Sequence, residues 1–269
     1  MEPLRLVCWA GVNALRSEVM QDEFGPYFDL SSGFGEGIFA YVSLRGGQGH
    51  EPADLESFLA RRGHGGTSVV AVNQVHGCRV AGPEETPCEA DGVLVETSGR
   101  AARVVTADCV PLLLARRDGS ACAAVHAGWR GTLEGIALQA AGRLSESGRR
   151  PLSAYIGPAI GSCCYEVSED LAARFRERFG ALPGIPEPGD PPRLDLKVLN
   201  AQQLLDAGVP ASEIRVEERC TACSIGLCWS YRRDGPGTGR LASLIGREAD
   251  VAGSRSSRSG GRVRNRRAT

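Results

Sequence analysis

Several absences narrow what this 269-residue chain can do. No apolar run approaches the roughly 20 residues that a membrane-spanning helix requires, so no membrane role is expected. The opening Met1-Glu2-Pro3-Leu4-Arg5-Leu6-Val7-Cys8-Trp9 has neither the basic start nor the apolar core of a secretory signal, which points to a cytoplasmic protein. Neither sign of charge dominates, with 31 Lys and Arg against 32 Asp and Glu. The resulting net charge of −1 sets up no field that would draw nucleic acid to the whole protein. Histidine is scarce, at four residues, and no internal repeat is visible.

Ten cysteines are present, but a chain of this length without an export signal is expected to keep them reduced, for metal or packing roles. A 42% hydrophobic content is ample for one sizeable core. Strand-like apolar runs recur at Arg5-Leu6-Val7, 37–42, 68–72, 92–95, 103–106, 111–115, 121–125 and 154–157. Several are apolar throughout, the pattern of strands covered on both faces. Helical spacing is predicted over 53–62, 132–145, 168–179 and 196–206, with Thr132 and Ser168 as N-caps. The expected fold is therefore mixed α/β, a central β-sheet arrangement covered by helices in a single domain. Residues 180–193, rich in proline and glycine, read as an exposed loop. Residues 251–269, rich in Arg, Ser and Gly without apolar periodicity, read as a disordered tail. Its basic charge is the one feature that could meet RNA, and nucleic acid is not expected as a partner.

Three segments carry chemistry: Asn73-Gln74-Val75-His76-Gly77, Thr106-Ala107-Asp108-Cys109-Val110-Pro111 and Val125-His126-Ala127-Gly128-Trp129-Arg130-Gly131. The spacings from His76 to Cys109 and from Cys109 to His126 are far too long for a zinc knuckle. They fit three ligands delivered by successive strand ends to one point. Two imidazoles and a thiolate, with no obvious fourth protein ligand, suit a zinc ion that keeps a coordination position open. Read singly, each of the three has an ordinary packing explanation: loop histidines bonded to backbone, and a buried cysteine behaving as a small hydrophobe.

These segments, with Ala90-Asp91-Gly92, the stretch 156–161 and Ser230-Tyr231-Arg232-Arg233-Asp234-Gly235, resemble in the same order the motifs of the YfiH family. That family is also called the laccase-domain or polyphenol oxidoreductase family, and its members are assigned as purine nucleoside phosphorylases. The resemblance runs from about Ser31 to Ile245 and implies an enzyme domain over 1–250. It implies zinc on His76, Cys109 and His126, and phosphorolysis of adenosine, inosine and 5′-methylthioadenosine together with adenosine deamination. Nucleosides and phosphate would then be the partners. One family feature is missing, since Leu30 to Gly37 lacks the arginine that members usually carry near their N-terminus. If that arginine holds phosphate or substrate in members of the family, this chain is expected to be weak, altered in substrate, or dependent on another cation such as Arg45 or Arg130.

Deamination needs an activated water and a group to shuttle its proton, for which Asp108 and Glu166 are the candidates. Phosphorolysis needs an anion site, and Gly128 and Gly131 around Arg130, where a helix opens, offer N–H groups and a guanidinium. Asn73 and Arg233, inside two of the motifs, are candidate substrate contacts, while Asp91 reads as a turn residue. Cys220-Thr221-Ala222-Cys223, with Cys228, could begin a second metal site or a redox pair. No second pair follows at ribbon spacing, and only Cys163 and Cys164 could complete a site. Two other enzymes are compatible with part of this pattern: a zinc hydrolase editing peptidoglycan precursors, and a copper-dependent polyphenol oxidase. A blue-copper centre alone takes two histidines and a cysteine, leaving only His50 and His64 for any oxygen-reducing cluster. A fourth reading, a metal-binding module whose tail recruits RNA, predicts a filled fourth coordination position and salt-dependent binding.

Overall fold

The computed structural model describes residues 11–46, 52–146, 148–182, 184–185 and 191–250. The strand expected at Arg5-Leu6-Val7, the tail 251–269 and part of the 180–193 segment lie outside the described residues.

Two mixed sheets face each other. The first, of seven strands, contains β1 (Asn13–Leu15), β6 (Val80–Ala81), β7 (Gly92–Val95), β9 (Val110–Arg116), β10 (Cys122–Ala127), β11 (Leu152–Ile156) and β12 (Ile214–Glu217), in the order β1-β12-β11-β9-β10-β7-β6. The second, of six, contains β2 (Met20–Asp22), β3 (Gly25–Asp29), β4 (Ile38–Ser43), β5 (Ser68–Ala71), β8 (Arg100–Thr106) and β13 (Leu241–Arg247), in the order β2-β3-β4-β13-β8-β5.

Strand periodicity explains how these sheets stack. Along β9, Leu113 and Ala115 pack with Ile38, Ala40 and Val42 of β4 in a core between the sheets. Their neighbours Leu112 and Leu114 point the other way, into a core shared with the helices α3 (Ile136–Leu144) and α5 (Leu196–Asp206). On the far side of the second sheet, Phe39 and Tyr41 meet Leu55, Phe58 and Leu59 of α1 (Pro52–Arg61). The result is four layers, helix, sheet, sheet, helix, in which the apolar runs of the central strands are covered on both faces. Truncating a fully buried residue such as Leu113 to alanine is expected to cost about 2–5 kcal/mol.

Local signals account for most helix boundaries. Ser168 caps α4 (Glu169–Phe179) by accepting from Leu171 N, as its sequence position suggests. Asp195 caps α5 through Lys197 N and Val198 N. The helix expected from Thr132 begins earlier and is broken: Gly128 is the N-cap of α2 (Trp129–Glu134), and Gly135, at φ +90°, separates it from α3. Thr132 is interior, with its N–H on the Gly128 carbonyl at 2.9 Å and its hydroxyl accepting from Asn200 Nδ2. A sixth helix, α6, is the single turn Tyr231–Asp234, capped by Ser230.

Candidate metal centre and its cavity

Two chain crossings between the sheets and one strand end create the site. Residues 72–79 carry the chain from β5 in the second sheet to β6 in the first, with His76 midway. Residues 107–109 carry it from β8 to β9, with Cys109 at the crossing. His126 is the penultimate residue of β10 and shares the parity of Cys122 and Ala124, which pack between the sheets. His126 therefore lies within the end of β10, before the turn at Gly128 that opens α2. The donor atoms of His76, Cys109 and His126 all lie within 4.8 Å of one another.

Backbone conformation and close packing hold this arrangement. Among the described residues, His76 (φ +61°) and Asp108 (φ +90°) are two of three non-glycine residues with positive φ, conformations that persist only where surroundings impose them. Gln74 clamps the crossing by donating from Nε2 to the Val105 carbonyl at 2.9 Å and accepting from Val105 N at 2.8 Å. A Cβ on Gly128 would come within 3.1 Å of His76 Cδ2 and 3.3 Å of Cys109 Sγ, so the absence of a side chain there gives the donors room. A Cβ on Gly131 would meet the Gly77 carbonyl oxygen at 2.5 Å, so α2 can seat against the His76 turn only with glycine at that position.

Asp91 is the residue whose role the sequence conceals. The Ala-Asp-Gly context reads as a turn, but its side chain is fully buried and organises the centre. Its carboxylate accepts from His126 Nδ1 at 2.7 Å, His76 N at 2.9 Å, Gly77 N at 2.6 Å and Val75 N at 3.3 Å. The bond to Nδ1 leaves Nε2 of His126 as the nitrogen free to act as a ligand, the usual way a carboxylate orients a metal-binding imidazole.

The electrostatics follow from this packing. Burial pushes the Asp91 carboxyl up, but the bonds from His126, Gly77 and His76 outweigh it and hold it below its ordinary value. Burial also raises the Cys109 thiol, yet His126 and His76 together bring it down from 9.0 to about 7. Burial lowers His126, and the Asp91 and Cys109 partners override that and raise it to about 9. A thiolate beside two imidazoles, backed by a buried carboxylate, is a donor set that fits a metal ion.

The centre lines a cavity of about 700 Å³. Three cations, Arg103, Arg232 and Arg240, and three rings, Trp129, Tyr165 and Tyr231, share its wall with Asn73 and Asp108. Asp108 is the one carboxylate among the lining residues, and it bonds Thr221 Oγ1 at 2.6 Å and Arg232 N at 2.7 Å. Gly128 lies directly against the donors without forming part of the wall.

The other expected positions fall elsewhere. Glu166 is exposed and pairs with Arg193 at 2.6 Å outside the wall. Arg130 is exposed in the first turn of α2, with its guanidinium 5.0 Å from the Trp129 ring centroid. Arg45 stacks over Trp229 at 4.4 Å. Arg233 turns away from the cavity and donates to the carbonyls of Thr221, Ala222 and Cys228, leaving its neighbour Arg232 in the wall. Arg103, Arg240 and Tyr165 were not legible as cavity residues, since single arginines and tyrosines carry no spacing signal, while Tyr231 lies inside the 230–235 motif without having been singled out.

Fold and site together define a mixed α/β protein with a two-histidine, one-cysteine donor set that fits a metal ion, at the wall of a cationic, aromatic cavity. The chain belongs to the YfiH family: residues 31–248 match the family model described as multi-copper polyphenol oxidoreductase laccase. It is 38% identical over 170 residues to purine nucleoside phosphorylase YlmD of Geobacillus stearothermophilus, a match covering 60% of this chain and 61% of that protein. A purine nucleoside phosphorylase of Mycobacterium tuberculosis is 40% identical over 209 residues, 73% of this chain and 81% of the relative. The crystal structure of Geobacillus YlmD superposes with a TM-score of 0.74 at 28% identity, covering 86% of this chain and 99% of the other. This is an enzyme family whose relatives carry the purine nucleoside phosphorylase name.

The donors do not suit the several coppers in the family model's description. His64, the remaining histidine among the described residues, stacks on Phe39 at 4.1 Å and bonds the Tyr41 hydroxyl at 3.1 Å, away from the cavity wall. His50 lies outside the described residues. Among the described residues the centre thus has donors for one ion and no histidine cluster beside it. No helix among the described residues is long and apolar enough to cross a membrane.

Proposed function

We propose that this chain is a zinc-dependent purine nucleoside phosphorylase of adenosine, inosine and 5′-methylthioadenosine that also deaminates adenosine, working in the cytoplasm. The observation that carries the reading is the convergence of His76, Cys109 and His126 on a cavity walled by arginines and aromatic rings. The names of the relatives support the substrate class. Two imidazoles and one thiolate suit zinc, which when held there supplies Lewis acidity and lowers the pKa of a water in its open position towards about 7.

The chain's own groups do the rest. Trp129, Tyr165 and Tyr231 offer faces and edges for a purine, and Asn73 offers an amide to its polar rim. Arg232 is held by its own bonds to the Cys164 and Glu166 carbonyls, and with Arg103 and Arg240 it presents positive charge to phosphate. For phosphorolysis, hydrogen phosphate oxygen attacks the anomeric carbon as the bond to the base breaks and the phosphate's proton passes to the base nitrogen, giving free base and ribose 1-phosphate, or 5-methylthioribose 1-phosphate from 5′-methylthioadenosine. For deamination, water adds to the purine and ammonia leaves, giving inosine. Asp108 takes up and returns the proton through a carboxylate oxygen, the arginine cluster replaces Arg130 as the anion site, and Glu166 has no part in proton transfer.

The test is incubation of zinc-loaded protein with adenosine, with and without phosphate, and chromatography of the products. Adenine forming only with phosphate and inosine forming in both is the expected pattern. No turnover of any nucleoside would refute the proposal.

A further inference from the structure

Four other cysteines meet at a second point. Cys163 and Cys164 sit in the turn after β11, and Cys220 and Cys223 in the loop after β12, 59 or 60 residues away for the pairs in contact. Their four sulfurs all lie within 4.8 Å of one another. Cys163 Sγ is 3.6 Å and Cys164 Sγ 3.4 Å from Cys223 Sγ. A tetrahedral zinc with Zn–S bonds of about 2.3 Å sets its sulfurs about 3.8 Å apart, so the observed spacings are close to those of a single-ion cage. They are well beyond the roughly 2.05 Å of a disulfide.

The loops are built to present these sulfurs. Ala159 and Cys220 form a parallel bridge, with Thr221 N donating to the Ala159 carbonyl at 3.0 Å, which registers one loop against the other. Gly161 N donates to Cys220 Sγ at 3.3 Å, the kind of bond that stabilises a thiolate. A Cβ on Gly161 would lie 3.4 Å from Cys163 Sγ and 3.5 Å from Cys220 Cβ, so glycine keeps the backbone close against the sulfurs. Cys220-Thr221-Ala222-Cys223 has the two-residue gap of a metal knuckle. Its partner is the adjacent pair Cys163-Cys164, the cysteines that the sequence already marks as able to complete such a site. Lys197, fully buried, donates from Nζ to the carbonyls of Glu217, Glu218 and Arg219 and so fixes the chain entering Cys220.

We infer that Cys163, Cys164, Cys220 and Cys223 form a closed tetrathiolate zinc site, separate from the His76 centre. Four protein ligands leave no open position, so this ion is structural. It staples the two loops behind one wall of the cavity. Tyr165 follows Cys164 directly, Arg232 bonds the Cys164 carbonyl at 3.2 Å, and Arg233 bonds the Thr221 and Ala222 carbonyls inside the knuckle. The ion thereby ties the positions of Tyr165 and Arg232 to each other.

Metal counting on full-length protein, purified with reductant and loaded with zinc, tests this. Two zinc ions per chain are expected for the unaltered protein, one for Cys109→Ser, one for Cys223→Ser and none for the double variant. If Cys223→Ser does not fold, cobalt(II) loading of Cys109→Ser decides the matter. That variant must keep the thiolate-to-cobalt absorbance of four sulfurs, about fourfold that of the single thiolate at the other centre. Chelation should also lower the melting temperature of Cys109→Ser. A Cys109→Ser protein that binds no zinc or cobalt, a disulfide among the four under reductant, or iron in their place would overturn the inference. None of these readouts depends on nucleoside turnover, so failure of the proposed activity would leave them intact.

Discussion

Replacing Asp91 by asparagine should damage the metal centre without touching a ligand. Oδ1 accepts from His126 Nδ1 and His76 N, and Oδ2 from Gly77 N and Val75 N. Whichever oxygen becomes the amide nitrogen, two N–H donors then face a donor inside a fully buried site. Two charge-assisted bonds at about 1.5–3 kcal/mol each put the loss at about 3–6 kcal/mol. At about 2–4 °C per kcal/mol for a domain of this size, even the lower figure lowers the melting temperature by about 6–12 °C. Loss of the group that orients a ligating imidazole should also weaken zinc about 10–100-fold.

The pH dependence of that difference has a definite sign. Because the folded-state pKa of Asp91 lies below its ordinary 3.8, its contribution is present above 3.8 and is lost as pH falls through the folded value. The gap between variant and parent therefore closes in acid. Thermal melts across pH, with zinc competition against a chromophoric chelator, measure both effects. Zinc affinity within about twofold of the parent and a melting temperature within about 2 °C would refute the positioning role.

Gly131→Ala places a methyl 2.5 Å from the Gly77 carbonyl oxygen, so the His76 turn must move, and zinc affinity should fall by about tenfold or more on chelator competition. In the metal-free protein Cys109 at about 7 and His126 at about 9 form a thiolate-imidazolium pair between those values. Zinc uptake in that window should expel about one proton, and affinity should rise with pH, which calorimetry in buffers of different ionisation enthalpy would measure; zero proton release contradicts it. Asp108→Asn should lower nucleoside turnover about 10²–10⁴-fold, the scale of a lost general acid or base. Glu166→Gln, at a surface ion pair, should leave it within about threefold, and steady-state rates that reverse this order would reassign the proton shuttle.

Local order was legible where local chemistry dictates it. The α5 helix spans the very residues that apolar spacing marks out, and Ser168 and Asp195 cap as polar residues ahead of helices do. The doubly covered strands announce themselves as unbroken apolar runs. By contrast, β12 reads Ile214-Arg215-Val216-Glu217, and nothing local explains why Glu217 is fully buried. Its carboxylate accepts from Arg219, two residues on, and from Ser17 N, 200 residues away, and only the fold brings that second partner to it. The start of α2 was misplaced because a threonine looks like a cap, whereas close packing requires glycine at 128, against His76 and Cys109, and at 131, against the Gly77 carbonyl, and the helix begins at Trp129.

The sequence by itself determined the donor chemistry: two histidines and a cysteine in glycine-bounded segments, and too little histidine for a copper cluster. Tertiary structure alone decided which other side chains serve them. Asp91 became the organising carboxylate, and Arg232 displaced Arg233 in the wall. The reason is physical: ligand type depends on each side chain's own electronic character, which composition reveals. Burial, partners and facing direction depend on how two sheets stack and where the chain crosses between them, and no single stretch of sequence encodes that.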